Sequence, residues 1–149
     1  MASDDASARR ISVKLDSSAF VAEKDLLEAL EKYSSVVECE EDRNLFVQEE
    51  TPVGLYIVRE GEVTLTMSSP SGQEVMCILA APGSVLGLPG LLGNQPYSLT
   101  ARAHRGAKVS FVTREDFSNL MLGSPALSLH VLRVLAAEVR TARRVLSEE

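Results

Sequence analysis

Two histidines, two cysteines and one loop dense in glycine and proline are the places where this 149-residue sequence could do chemistry. His104 closes an expected strand and His130 falls within an expected helix, and neither shares a local pattern with a nucleophile or an acid that would make it a catalytic base. Cys39 and Cys77 lack CxxC spacing and have no histidine near them in sequence, so reduced thiols fit better than a metal or redox pair. GxSxG, HExxH and phosphate-loop motifs are absent. These residues predict no enzyme, no metal site and no cofactor.

The loop has a different character. Four glycines and three prolines fall between Pro82 and Pro96 among apolar residues. Glycine permits positive φ and close approach of the backbone to a ligand, while proline stops a strand from continuing. The chain must leave one strand, turn repeatedly and enter another near Tyr97. A single helical turn fits at residues 89–92, and its free N–H groups would attract an anion. The loop is a candidate pocket.

Length and composition bound what can position it. At 45% hydrophobic content, 149 residues suffice for one domain with a real core. No apolar run approaches bilayer length, and the acidic start Met1-Ala2-Ser3-Asp4-Asp5 does not resemble a signal peptide, so a cytoplasmic protein without membrane contact is expected. A net charge of −6 argues against direct nucleic-acid binding, which needs clustered Lys and Arg.

Residues 1–10 are small, polar and charged and are expected to form a disordered tail, with one domain over 11–149. Phe20, Leu26, Leu27 and Leu30 suit a helix, strongest at 25–32. Short strands follow from about 34: near 36–40, at 45–47, in a hairpin over 55–67 turned at Gly61, at 75–80, at 97–103 and at 108–112. The run at 75–80 is apolar on both faces, which predicts a strand covered on both sides. Many short strands with frequent turns indicate a sandwich or barrel, over about 34–112. From 113 to 147 the period becomes helical. Thr113 with Asp116 is a capping pattern for a helix that Gly123 ends, and Ser124-Pro125 launches a long helix to about Ser147. On that helix Leu132, Leu135, Val139, Ala142 and Leu146 recur at heptad spacing, and Leu127, Val131 and Val134 form a second stripe. One stripe suits the barrel and the other a partner, so a homodimer is expected, the alternative being that both stripes form one wide core face of a monomer.

Leu55-Tyr56-Ile57-Val58 with Gly61-Glu62-Val63, Ser71-Gly72-Gln73-Glu74, Pro82-Gly83-Ser84-Val85-Leu86-Gly87 and the closing long helix together resemble the cyclic-nucleotide-binding domain of the catabolite-activator type. The resemblance covers residues 20–147. It implies a mainly β fold, a double-stranded β-helix (jelly-roll) barrel with an N-terminal helix and a long C-terminal helix that pairs in a parallel dimer.

The resemblance also implies a phosphate-binding cassette, from which this sequence departs. In the family a glutamate accepts a hydrogen bond from the ribose 2′-hydroxyl and an arginine pairs with the cyclic phosphate. Gly87, Gly90 and Leu91 match the cassette, but Leu88 stands at the glutamate's place and Tyr97 at the arginine's, with Ser98 retained. Arg102 alternates with Ala101 and Ala103, a spacing that does not make it a substitute. The residual pocket would be rimmed by Leu86, Gly87, Leu88, Gly90, Leu91, Tyr97, Ser98 and Thr100. Tight binding of cyclic AMP or cyclic GMP is not expected, and Leu88→Glu combined with Tyr97→Arg is expected to raise affinity beyond the sum of the single changes.

Regulators of this family carry a helix-turn-helix after the long helix, whereas the sequence here stops at Glu149 without a basic recognition element. Three functions remain open: a non-enzymatic regulatory domain sensing an unidentified small-molecule effector, a ligand-free dimerisation or protein-interaction module, and the sensory part of a transcription regulator.

Overall fold

The computed structural model describes residues 21–147, with side chains as far as residue 140; the expected tail at 1–10 lies outside the described residues. Helix α1 (Lys24–Glu31) leads into β1 (Ser35–Glu38), β2 (Arg43–Phe46), β3 (Gly54–Glu60), β4 (Val63–Ser68), β5 (Glu74–Ala80) and β6 (Val85–Leu86). A short helix α2 (Leu88–Gly93), β7 (Thr100–Ala103), β8 (Lys108–Thr113), α3 (Arg114–Gly123) and α4 (Pro125–Ser147) complete the order. The strands form two antiparallel four-stranded sheets, β1-β8-β3-β6 and β2-β7-β4-β5. This is the jelly-roll architecture expected.

Strand alternation decides what each face touches. Val63 and Leu65 of β4 and Ala101 and Ala103 of β7 are buried in the interior between the sheets, among Phe46, Met76, Ile78 and Leu86. β3 is covered on both sides: Val58 belongs to that interior, whereas Leu55 and Ile57 belong to a second core shared with the helices, containing Leu26, Leu30, Phe117, Val131 and Val134. The strand at residues 74–80 differs from expectation. Met76, Ile78 and Ala80 are buried, but Leu79 is 45% exposed, so only one face is covered. The apolar run misleads because Cys77 and Leu79 sit on an outer face that no element among the described residues covers fully. The strand expected over 97–103 is likewise shorter, because Tyr97 pairs instead with the turn after β2, through Tyr97 N–H to Glu50 O and Glu49 N–H to Tyr97 O.

The capping signal at α3 holds, with the Thr113 hydroxyl accepting from the Asp116 N–H at 3.1 Å. On α4, Val131 and Val134 are buried and Leu127 packs beside them, as their stripe requires. The N-terminal side of α1 is tied to α4 by Glu23, whose carboxylate receives Arg133 at 2.7 Å and lies 3.0 Å from His130 Nδ1. The Arg133 hydrogen bond, then the His130 one, holds the Glu23 carboxyl below its ordinary value. A lowered carboxylate pKa contributes stability above the ordinary range and loses it as the pH falls through the lowered value. Because the group is solvent-screened, Glu23→Gln is expected to shift the urea midpoint only slightly at about pH 7 and not at all in strong acid.

Candidate functional site

The interior between the sheets is not filled at its α4 end. A cavity of about 510 Å3 remains there. Its floor comes from inward positions of three strands: Phe46 of β2, Leu65 and Met67 of β4, and Met76 of β5. One wall is the glycine-rich loop, through Leu86, Gly87, Pro89, Gly90, Tyr97, Ser98 and Leu99, and the other is α4, through Leu135, Glu138 and Val139. That volume lies in the range of small-molecule sites, about 300–1,000 Å3.

The loop keeps the backbone that its glycines and prolines predict. Gly87 has φ +96° and precedes α2, and a Cβ on it would stand 3.1 Å from the Tyr97 ring. A Cβ on Gly90 would meet the Gln95 carbonyl at 2.9 Å, so the tight return of the chain after α2 requires glycine there. The turn expected at 89–92 is thus present.

Tyr97 closes one end of the cavity. Its ring stacks on Phe46 with centroids 4.0 Å apart, and its hydroxyl donates to the Gly54 carbonyl at 2.7 Å. The same oxygen accepts the Val53 N–H at 3.2 Å and the Gly54 N–H at 3.4 Å. Three backbone groups at the start of β3 therefore share one phenol, and the side chain is committed to the scaffold. Tyr56 extends the aromatic row, its ring 6.0 Å from Phe46 and 4.9 Å from Phe111, and its own phenol is pushed above the ordinary value by burial and then by Tyr97.

Of the residues singled out from sequence, Leu86, Gly87, Gly90, Tyr97 and Ser98 line the cavity together. The other three are placed elsewhere. Leu88 and Leu91 turn into the helix-facing core, since α2 buries its apolar side there, and the Thr100 hydroxyl accepts the Gln48 N–H at 2.9 Å. Arg102 faces outward, as its neighbours' burial requires, and donates to Asn44 at 3.3 Å. No lysine, arginine or histidine is among the described lining residues.

Glu138 is the residue that spacing arguments passed over. It continues the inward stripe of Leu127, Val131 and Val134, four residues after the last, so an acid falls on an apolar face. Burial raises its carboxyl to about 8, and its Oε2 atom is buried with no hydrogen-bond partner among the described residues.

Residues 36–124 match the model of the cyclic nucleotide-binding domain. The chain belongs to that family. The domain is 32% identical over 120 residues to the HTH-type transcriptional regulator Cmr of Mycobacterium tuberculosis, covering 80% of this chain and 49% of that protein. It is 30% identical over 98 residues to the cyclic AMP receptor protein of Thermus thermophilus, covering 66% and 45% of the two chains. Among solved structures, the Thermus thermophilus catabolite activator protein superposes with a TM-score of 0.73 at 25% identity, over 84% of this chain and 59% of that one. The chain thus spans about half the length of the curated relatives it matches. Leu88 and Tyr97, which the family resemblance sets at the places of the cassette's glutamate and arginine, carry no charge. Among the described residues no single helix is long and apolar enough to cross a membrane.

Proposed function

We propose that this chain is a non-enzymatic effector domain of a cytoplasmic regulator of the kind its relatives' names describe, and that its ligand is a small, largely apolar molecule rather than a cyclic nucleotide. One observation carries the proposal: a cavity of about 510 Å3 is walled by the glycine-rich loop, and Tyr97, which the family resemblance sets at the place of the phosphate-binding arginine, is bonded to the backbone of β3. A cyclic phosphate entering there would lose hydration with no fixed cation to receive it.

The same helix that walls the cavity gives the output. Leu132 and Val139 are 60% and 52% exposed, and Leu135 is half-buried, so the heptad stripe is not consumed by the domain's own core. Ala142 and Leu146 lie beyond the described side chains. We assign this stripe to pairing with a second copy, and Val139, which belongs both to the stripe and to the cavity wall, is the point where occupancy would reach the dimer. Leu132→Glu with Val139→Glu is expected to convert a micromolar dimer to monomer while leaving the circular dichroism of the domain intact, as read by sedimentation. A wild-type chain that sediments as a monomer would contradict the pairing.

Because the chain is acidic overall, its association with duplex DNA is expected to be weak and abolished by physiological salt, carried only by Arg140, Arg143 and Arg144. Retention of a duplex at nanomolar protein in a gel-shift assay would contradict this. The effector reading itself is tested by a thermal-shift screen of apolar small molecules, with Met76→Trp as the control that fills the cavity. At least one compound should raise the melting temperature of the wild type and not of Met76→Trp. A ligand-free dimerisation or protein-interaction module predicts no such compound.

A further inference from the structure

Glu138 is the only charge-bearing side chain among the described residues that line the cavity, and it has no partner there. Protein interiors rarely leave a buried carboxyl oxygen unsatisfied, and one that is left so points to an interaction that completes it. Its surroundings restrict what that can be. An anionic occupant would meet an acid and no cation, and a purely hydrocarbon occupant would seal the carboxyl from water without replacing its hydrogen bonds. We infer that the ligand is an apolar molecule bearing a basic nitrogen, whose ammonium pairs with Glu138 while its hydrocarbon part packs on Leu65, Met67 and Met76. This rests on the reading of the cavity as an effector site.

The pairing carries a proton balance. Burial holds the free carboxyl protonated at neutral pH, its value raised to about 8. When an ammonium group docks, the carboxyl becomes carboxylate and its proton passes to solvent, so binding near neutrality should release roughly one proton. Tyr97 is the only other titratable group among the described lining residues, and its hydroxyl is donated to Gly54.

Three naphthalene probes of matched size test the inference on the full chain by calorimetry: naphthylmethylamine, naphthylmethanol and naphthylacetic acid. The amine is expected to bind at least about 10-fold more tightly than the alcohol, the acid more weakly than both. Titrations in buffers of different ionisation enthalpy should show the proton release for the amine alone. Glu138→Gln should reduce amine affinity to that of the alcohol and abolish the proton release. Equal binding of amine and alcohol to the wild type, or an amine preference that survives Glu138→Gln, overturns the inference while the effector site stands. Failure of all three probes to bind overturns both.

Discussion

Leu88→Glu is expected to destabilise the domain by about 3–5 kcal/mol, enough to unfold much of a marginally stable chain. Leu88 is 0% exposed and belongs to the apolar core that contains Leu55, Val85, Val112 and Phe117, where an ionised carboxylate would lose its hydration. The outcome runs against the resemblance to the family's cassette, which implies that a glutamate at this position restores a ribose contact. In this domain α2 points position 88 into the helix-facing core and away from the cavity, so the paired change with Tyr97→Arg inserts one charge into a core and cuts three hydrogen bonds at Gly54 and Val53. Urea unfolding of Leu88→Glu and of the pair is the check. A stable pair with a strengthened nucleotide site would show that α2 can reorient.

Glu138→Leu is expected to stabilise the unliganded domain, and to do so in a pH-dependent way. The native carboxyl titrates near 8 against an ordinary value of 4.5, so the native state binds its proton more tightly than the unfolded chain does. The shifted titration of Glu138 therefore adds no cost in acid, adds progressively more as the pH rises from 4.5 towards 8, and adds nothing further beyond that. At neutral pH the penalty is on the order of 3 kcal/mol, so the variant should gain about that much, with the gain shrinking as the pH approaches the ordinary carboxylate range. Urea midpoints at both ends of this window decide it. A gain equal at both ends would assign the effect to packing alone.

Much of the fold was legible because alternation and capping act locally. Val63, Leu65 and Met67 alternate with threonines and form a strand with one inner face, and Thr113 caps the helix that its spacing announces. The glycine-rich loop could be located for a related reason, since positions such as Gly90 tolerate no Cβ. What failed depended on contacts distant in sequence. Leu79 looks like core until one knows that no element among the described residues fully covers the outer face of β5, and Tyr97 looks like the start of a strand until Glu49 and Glu50 claim its backbone. The family resemblance puts Leu88 and Leu91 in the pocket, but the direction in which α2 faces is fixed by the core it shares with β3, β6 and the other helices. Glu138 carried a readable signal, an acid on the inward stripe of α4, yet nothing local shows that this stripe passes from core to cavity at that residue.

The central claim, that the cavity is no longer a cyclic-nucleotide site, is tested most directly by titrating cyclic AMP and cyclic GMP into the full chain by calorimetry at physiological salt. With Tyr97 bonded to Gly54 and no cation among the described lining residues, the backbone N–H groups of the loop are left to solvate the phosphate, and dissociation constants of about 1 mM or weaker are expected, near −4 kcal/mol. A micromolar constant for either nucleotide would contradict the account, because it would require a cation to reach the phosphate.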